Sequence, residues 1–514
     1  MKRWSTILIV MTAMIASACG TRVPVDQALQ VGGSGDVSTI DPAGGAVSSD
    51  ADVSTVATDP AASGTSTSGA GTTTAKSGGA PSKATGSGSG GGSATPAPGA
   101  PGSPAADAKP TTNNGPSDDG VTDTEIRIGS SGPLSGVAGF LGDEAFGAID
   151  SYFQSVNAKG GVNGRKLRLV TYDDRLDASQ TLANVRKLYE QDKVLGLMLA
   201  FGDPVADYVT RNNIPTVVFG VTPLSFSSKF PTVYPLVGNA LLWTQEAITG
   251  MKAQGLFKPG MKVGMIYDTQ IFDVTPYVPY LKEAWEDAGA KVVVADPFNL
   301  TDGDCTSLVL KMKDAGVDWW DFQGLGWVLC ASAAQRQQYR PTIGWGSWAT
   351  SVGGLATQVG PWVDGMWGGS NGDQPDGAPR QKTAAHDEYV GAIKRYHPNI
   401  SAPVHLDSPA TIGYWSGAKL ITAAVAAQGK SVTKAGVNDW IAKVENFDVG
   451  ITPPIVSMAP NCKTGSEVVW LGQWKWDSAK KEAYRKPQTG YLTSEQKDKY
   501  GGKCFLTKLS DSMG

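Results

Sequence analysis

Between Gly20 and Gly120 the chain has no Phe, Trp or Tyr. Such a stretch cannot bury enough apolar area to offset the entropy of ordering, which excludes it from any folded core. An excess of positive charge is missing as well. Lys and Arg number 44 against 48 Asp and Glu, a net charge of −4, so nothing would neutralise a run of phosphates and nucleic acid is excluded as a partner. Beyond residue 18 no apolar run reaches the length of a membrane span. The five cysteines form no Cys-x-x-Cys pair, and His386, His397 and His405 show no ligand spacing, which argues against a metal site. Catalytic signatures are absent too: there is no Gly-x-Ser-x-Gly elbow and no His-Glu-x-x-His helix. Gly429-Lys430-Ser431 imitates the end of a phosphate-binding loop, but Ala424 stands where the loop's first glycine must be. An enzyme needs a nucleophile or an acid–base pair held by a third group. None is legible, so neither an enzyme nor a cofactor is expected.

What is present begins with a leader. Lys2 and Arg3 precede the apolar stretch 7–15, and Ala16-Ser17-Ala18 gives a small-residue cleavage site over a 1–18 signal peptide. Cys19 follows at once. Small residues ending in cysteine resemble the bacterial lipoprotein signal, although Ala16 stands where leucine is usual. The resemblance implies lipidation of Cys19 and an anchor on the extracytoplasmic face of the cell membrane. An ordinary secretory signal with a chance cysteine is the alternative. Residues 19–120 then read as a disordered Gly/Ser/Thr/Ala/Pro tether with four basic and nine acidic residues, spanning roughly 50–60 Å root-mean-square.

From 121 onward strand and helix patterns alternate. Strands are expected at 125–130, 166–172, 194–201 and 216–219, with helices around Phe146–Val156, at 178–191 and near 204–212. A second series has strands at 262–267, 291–295 and 319–323 and helices at 277–288, 306–315 and 329–338. Alternation of this kind means parallel sheets covered on both faces. Two series mean an α/β protein of two doubly wound lobes, whose ligands bind at the carboxyl ends of the strands.

Gly132-Pro133-Leu134-Ser135-Gly136, Gly142-Asp143, Lys159-Gly160-Gly161-Val162-Asn163-Gly164-Arg165 and Tyr172-Asp173-Asp174 resemble the opening of branched-chain amino-acid-type solute-binding proteins, the extracytoplasmic receptors of ABC importers. The resemblance implies a type 1 periplasmic-binding-protein fold: two Rossmann-like lobes with a hinge, closing on a small solute. Lobe 1 would hold 121–240 and 371–455, and lobe 2 would hold 241–370 and 456–514. Partners would be a small-molecule solute, an ABC permease and separate ATPase subunits, with the receptor acting as a monomer. A sensor module of the same fold, acting through a signalling partner, is the alternative.

Carried over residue by residue, the family's ligand contacts are only partly present. Thr222 falls on the carboxylate-binding threonine and Gly220 on a backbone contact, so Thr222→Val should weaken ligand binding. Ala200, followed by Phe201, replaces a serine hydroxyl. Leu141, with Phe140 beside it, replaces an aromatic that lines the pocket. Phe272 falls on one tyrosine position, and Leu325 or Trp327 on another. Gly346 or Ser347 stands where the acidic partner of the ligand ammonium belongs. A buried ammonium without a counter-charge is very costly. The substitutions therefore point to a partly apolar or aromatic solute without an α-amino group. Asp203, Asp268, Asp273 and Asp321, near strand ends, could restore a cation site but read first as helix caps or solvated residues. Asp173, Asp174 and Asp177 match a segment that caps the next helix.

Four cysteines remain after Cys19, an arrangement suited to disulfides outside the cytoplasm and open to three pairings. Cys305 and Cys330 begin the helices on either side of the Trp319 strand, and Cys462 and Cys504 flank the C-terminal strands. The expected pairs are Cys305–Cys330 and Cys462–Cys504.

Overall fold

A computed structural model describes residues 117–492 and 504–513, apart from positions 137, 201, 271, 347, 348 and 371–382. The leader, Cys19, the tether up to 116, Phe201 and Ser347 lie outside the described residues.

The first series runs β1 (Glu125–Gly132), α1 (Phe140–Ala158), β2 (Lys166–Asp173), α2 (Ala178–Glu190), β3 (Gly196–Leu199), α3 (Ala206–Arg211), β4 (Thr216–Val218), α4 (Pro223–Phe226) and β5 (Val233–Pro235). Its strands form a parallel five-stranded sheet in the order β2-β1-β3-β4-β5. Alternation along β3 explains how both faces are covered. Leu197 and Leu199 point into a cluster with Val185 and Leu188 of α2 and Val209 of α3. Met198 points to the opposite core with Ile149 and Phe153 of α1. The α2 helix starts where it does because the Asp177 side chain accepts the Gln180 N–H at 2.8 Å.

α5 (Ala240–Ala253) leads to the second series: β6 (Lys262–Tyr267), α6 (Val278–Asp287), β7 (Lys291–Pro297), α7 (Thr306–Asp314), β8 (Trp319–Gln323), α8 (Trp327–Arg336) and β9 (Gly344–Trp345). These strands form a second parallel sheet, β7-β6-β8-β9. Its interior is aromatic. The Trp320 ring lies 5.4 Å from Phe322 and 5.5 Å from Trp345, and Phe322 lies 6.4 Å from Trp327. Asp321, on the other face of β8, is buried and accepts from Trp285 Nε1 at 2.9 Å and Gln323 Nε2 at 2.7 Å. Desolvation pushes its carboxyl up to about 7. The sulfurs of Cys305 and Cys330 are bonded, tying the start of α7 to α8.

The chain then crosses back. After α9 (Gly353–Val359) and β10 (Trp367–Ser370), the helices α10 (Ala384–Tyr396), α11 (Pro403–Leu406), α12 (Pro409–Ala427) and α13 (Lys434–Ile441) follow. α12 lies on α1 and reaches β3 and β4, with the Trp415 ring 5.0 Å from Tyr152. Small antiparallel sheets complete the fold, an arrangement that the alternating pattern did not foretell. β11 (Glu445–Phe447), β12 (Ile455–Ala459) and β13 (Cys462–Lys463) form one; β14 (Trp470–Asp477) and β15 (Glu482–Pro487) join β10 in the other. The final helix, α14 (Phe505–Met513), is anchored by the Cys462–Cys504 bond. It touches both halves: Asp511 accepts the Ser228 N–H at 2.8 Å, beside α4, while Ser510 Oγ lies 3.2 Å from the Tyr277 hydroxyl.

Candidate functional site

Each sheet reverses its strand order once. In the first the switch falls between β1 and β3, and in the second between β6 and β8. Neighbouring crossovers at such a point run to opposite faces of the sheet, leaving a crevice at the carboxyl ends of the two strands. One cavity collects both crevices. It is walled by Ser131–Pro133 at the end of β1, Ala200 after β3, Phe219 after β4, Phe272 after β6 and Leu325 after β8. Leu141 and Phe146 of α1, Trp243 of α5 and the first turns of α12 close its sides. Its empty space is about 670 Å³, including the part open to solvent.

Carbon forms nearly all of this wall, and among the described residues no charged side chain belongs to it. Three of the described lining residues carry polar side-chain atoms. Ser131 Oγ is already engaged, donating to Asp174 Oδ2 at 3.0 Å and accepting from Asn184 Nδ2 at 3.1 Å. The Tyr414 hydroxyl and Trp243 Nε1 make no hydrogen bond among the described residues. Burial, with the Asp174 carboxyl nearby, pushes the Tyr414 phenol well above its ordinary range, so it stays a donor. Among the described residues no group of three His, Cys, Asp or Glu side chains is placed to hold a metal ion.

The residues expected from sequence divide into two groups. Leu141, Ala200, Phe272 and Leu325 stand in the wall. Phe140, Gly220, Thr222, Trp327 and Gly346 do not. Phe140 turns its ring onto Gly354 of α9, where an added Cβ would lie 2.5 Å from it. Trp327 is in the aromatic core of the second sheet. Gly220 takes φ +82° in the turn after β4, with Pro235 where its side chain would be. The Thr222 hydroxyl donates to Asp203 Oδ1 at 2.6 Å. Asp203 is half-buried, and desolvation together with the repulsion of Asp273 pushes its carboxyl up to about 6 although Thr222 pulls the other way. Gly346 has φ +153°, and a Cβ there would lie 2.1 Å from the Trp367 carbonyl oxygen. A side chain of any kind is excluded at that position, an acid included.

Asp173, Asp174 and Asp177 serve the loops around them. Asp173 accepts the Leu134 N–H at 2.9 Å and the Ser135 hydroxyl at 2.6 Å; Asp174 accepts Thr181 as well as Ser131. Sequence reasoning missed Trp243 and Tyr414. Both stand on helices buried nearly all round, α5 and α12, where no polar face tells which side chain meets a cavity.

Two parallel sheets sharing one cavity at their switch points define a two-lobed solute-binding architecture. The chain belongs to the periplasmic binding protein family, which it matches over residues 125–482. Among curated relatives, the leucine-, isoleucine-, valine-, threonine- and alanine-binding protein of Pseudomonas aeruginosa is 27% identical over 203 residues, covering 39% of this chain and 53% of that protein. The chain thus spans about half the length of the curated relatives it matches. Among solved structures, a fatty acid ABC transporter substrate-binding protein from Thermomonospora curvata superposes with a TM-score of 0.61 at 22% identity, covering 74% of this chain and 95% of that one. A solute-binding protein of an ABC transporter from Rhodopseudomonas palustris HaA2, in complex with p-hydroxybenzoic acid, gives 0.58 at 17% identity, covering 72% and 97%. The fold is the type 1 periplasmic-binding-protein fold.

Proposed function

We propose that this protein is the substrate-binding component of an ABC importer. It captures a small, partly apolar or aromatic solute between its two lobes and delivers it to a permease, with separate ATPase subunits supplying the energy. Lobe 1 comprises 121–240 and 371–455, and lobe 2 comprises 241–370 and 456–514. The leader and Cys19 fit a lipid anchor on the extracytoplasmic face of the cell membrane, with 19–120 as the tether and the receptor a monomer.

One observation carries this reading: a carbon-walled cavity lies at the strand ends of both sheets, so a solute held there touches both halves. Among the described residues the wall offers no carboxylate to an ammonium, and Gly346 leaves no room for one. An α-amino acid would bury its charge unpaired. Relatives named for branched-chain amino acids, a fatty acid and an aromatic acid share an apolar body in their ligands, which suits this wall.

A thermal-shift series on the mature chain tests the proposal, with leucine, valine, phenylalanine, benzoate and decanoate. A ligand that binds only the folded state adds about 2.7 kcal/mol at one hundred times its dissociation constant. Benzoate or decanoate should raise the melting temperature where leucine and valine do not. A shift with leucine or valine alone would overturn the solute class.

A further inference from the structure

The polar end of the cavity is at α12. Pro409 and Ala410 stand in the wall, and Tyr414, four residues beyond Ala410 and so on the same face, stands there with them. The first turn of α12 has donors to spare. Its cap residue Ser408 does not bond the backbone, because its hydroxyl donates to Glu144 Oε2 at 2.5 Å. Pro409 has no N–H, the Ile412 N–H returns to Ser408 O at 3.1 Å, and the N–H groups of Ala410 and Thr411 have no partner among the described residues. Thr411 Oγ1 is wholly buried and also unpaired. The hydroxyl of Tyr414, a residue only 5% exposed, and the indole N–H of Trp243, 4% exposed, are unpaired too. Buried polar groups are nearly always satisfied, so a concentration of unpaired donors around one cavity marks the place for an acceptor that the chain does not supply.

The position expected from the family lacks this property. Thr222 is outside the wall, and its hydroxyl is spent on Asp203. We infer that the Tyr414 hydroxyl and the first turn of α12 are the polar recognition site of the cavity, taking an acceptor oxygen, of a carboxyl group or an ester carbonyl, on an otherwise apolar solute. The solute's body then lies along Leu141, Phe146 and Phe219. Glu144 beneath the first turn and Asp174 near Tyr414 oppose a full negative charge, whereas the helix N-terminus favours one. The oxygen's charge state is therefore a separate question, which the probes below divide. The inference rests on the cavity being the solute site, and the variants separate the two.

The test uses the full mature chain and measures dissociation constants by tryptophan fluorescence for decanoate, methyl decanoate, benzoate and methyl benzoate. Tyr414→Phe removes the hydroxyl and keeps the ring. Thr222→Val removes the hydroxyl expected from the family. Leu141→Trp fills the cavity from a half-buried wall position. Binding of an acid or its ester should weaken about tenfold in Tyr414→Phe, stay unchanged in Thr222→Val and vanish in Leu141→Trp. Tighter binding of the acid than of its ester assigns a carboxylate; the reverse assigns a neutral carbonyl. Unchanged affinity in Tyr414→Phe with loss in Leu141→Trp overturns the inference and leaves the cavity as the solute site. Binding that survives Leu141→Trp, or no binding of any probe to the parent chain, overturns both.

Discussion

Arg485 on β15 and Asp407, just before α12, meet at 2.9 Å from Nη2 to Oδ2, and the same nitrogen reaches the Asp407 carbonyl at 2.9 Å. The other end of the guanidinium donates to the carbonyls of Gly369 at 2.8 Å and Ser351 at 3.2 Å. Its plane lies against Trp470 and Trp474, with centroids 4.7 and 5.0 Å away. One side chain thus ties the entry of α12, and with it the donors at the cavity, to the C-terminal sheet. Lysine has neither the fork nor the plane for this role.

Arg485→Met should therefore cost about 3–5 kcal/mol, because it removes a buried guanidinium that serves the half-buried Asp407 carboxyl and three carbonyls at once. Arg485→Lys should recover only part of the loss. Denaturant unfolding of the two variants checks this, and a Lys variant as stable as the parent would count against the fork.

Gly346→Ala should destabilise by more than about 1 kcal/mol, since φ +153° and the Trp367 carbonyl both refuse a Cβ. Gly346→Glu should fail to create an ammonium site for leucine and should unfold at still lower denaturant. Calorimetric titration with leucine reads the first outcome and denaturant melts the second.

Asp321 gives the molecule a pH dependence of known sign. Its folded-state carboxyl titrates at about 7 against 3.8 for the ordinary group. Between these values the unfolded chain has released the proton that the folded chain still holds. This group's contribution is therefore full only below 3.8, falls as pH rises from there towards 7, and levels off above. Desolvation is the largest cause; Trp285 and Gln323, which both donate, pull the other way. Melting temperatures from pH 4 to 8 should show the decline, and Asp321→Asn should flatten it. An unaltered slope in the variant would show that another group sets it.

Replacing Cys305 and Cys330 together by Ser should lower stability by about 2–4 kcal/mol through the loop of 25 residues that the bond closes. The cavity wall contains neither residue, so affinity for any ligand should be preserved. Parallel denaturant and binding curves separate the two effects.

Local pattern alone located most strands and helices of the two parallel sheets. Lys262–Tyr267 and Trp319–Gln323 carry enough apolar and aromatic residues to mark their own ends, and Asp177 marks the start of α2. The family resemblance, carried over residue by residue, made Leu141, Ala200, Phe272 and Leu325 pocket candidates, and all four stand in the wall. Tertiary structure decided the rest. Thr222 is outside the wall, and Asp203, nineteen residues earlier, takes its hydroxyl. Gly346 is bare because β10 passes against it. Tyr414 and Trp243 reach the cavity from helices buried on nearly every side, whose sequences carry no polar stripe to orient them. Periodicity reports which residues leave water. It says nothing about which buried face meets protein and which meets an empty space, since only the packing of distant segments creates that difference.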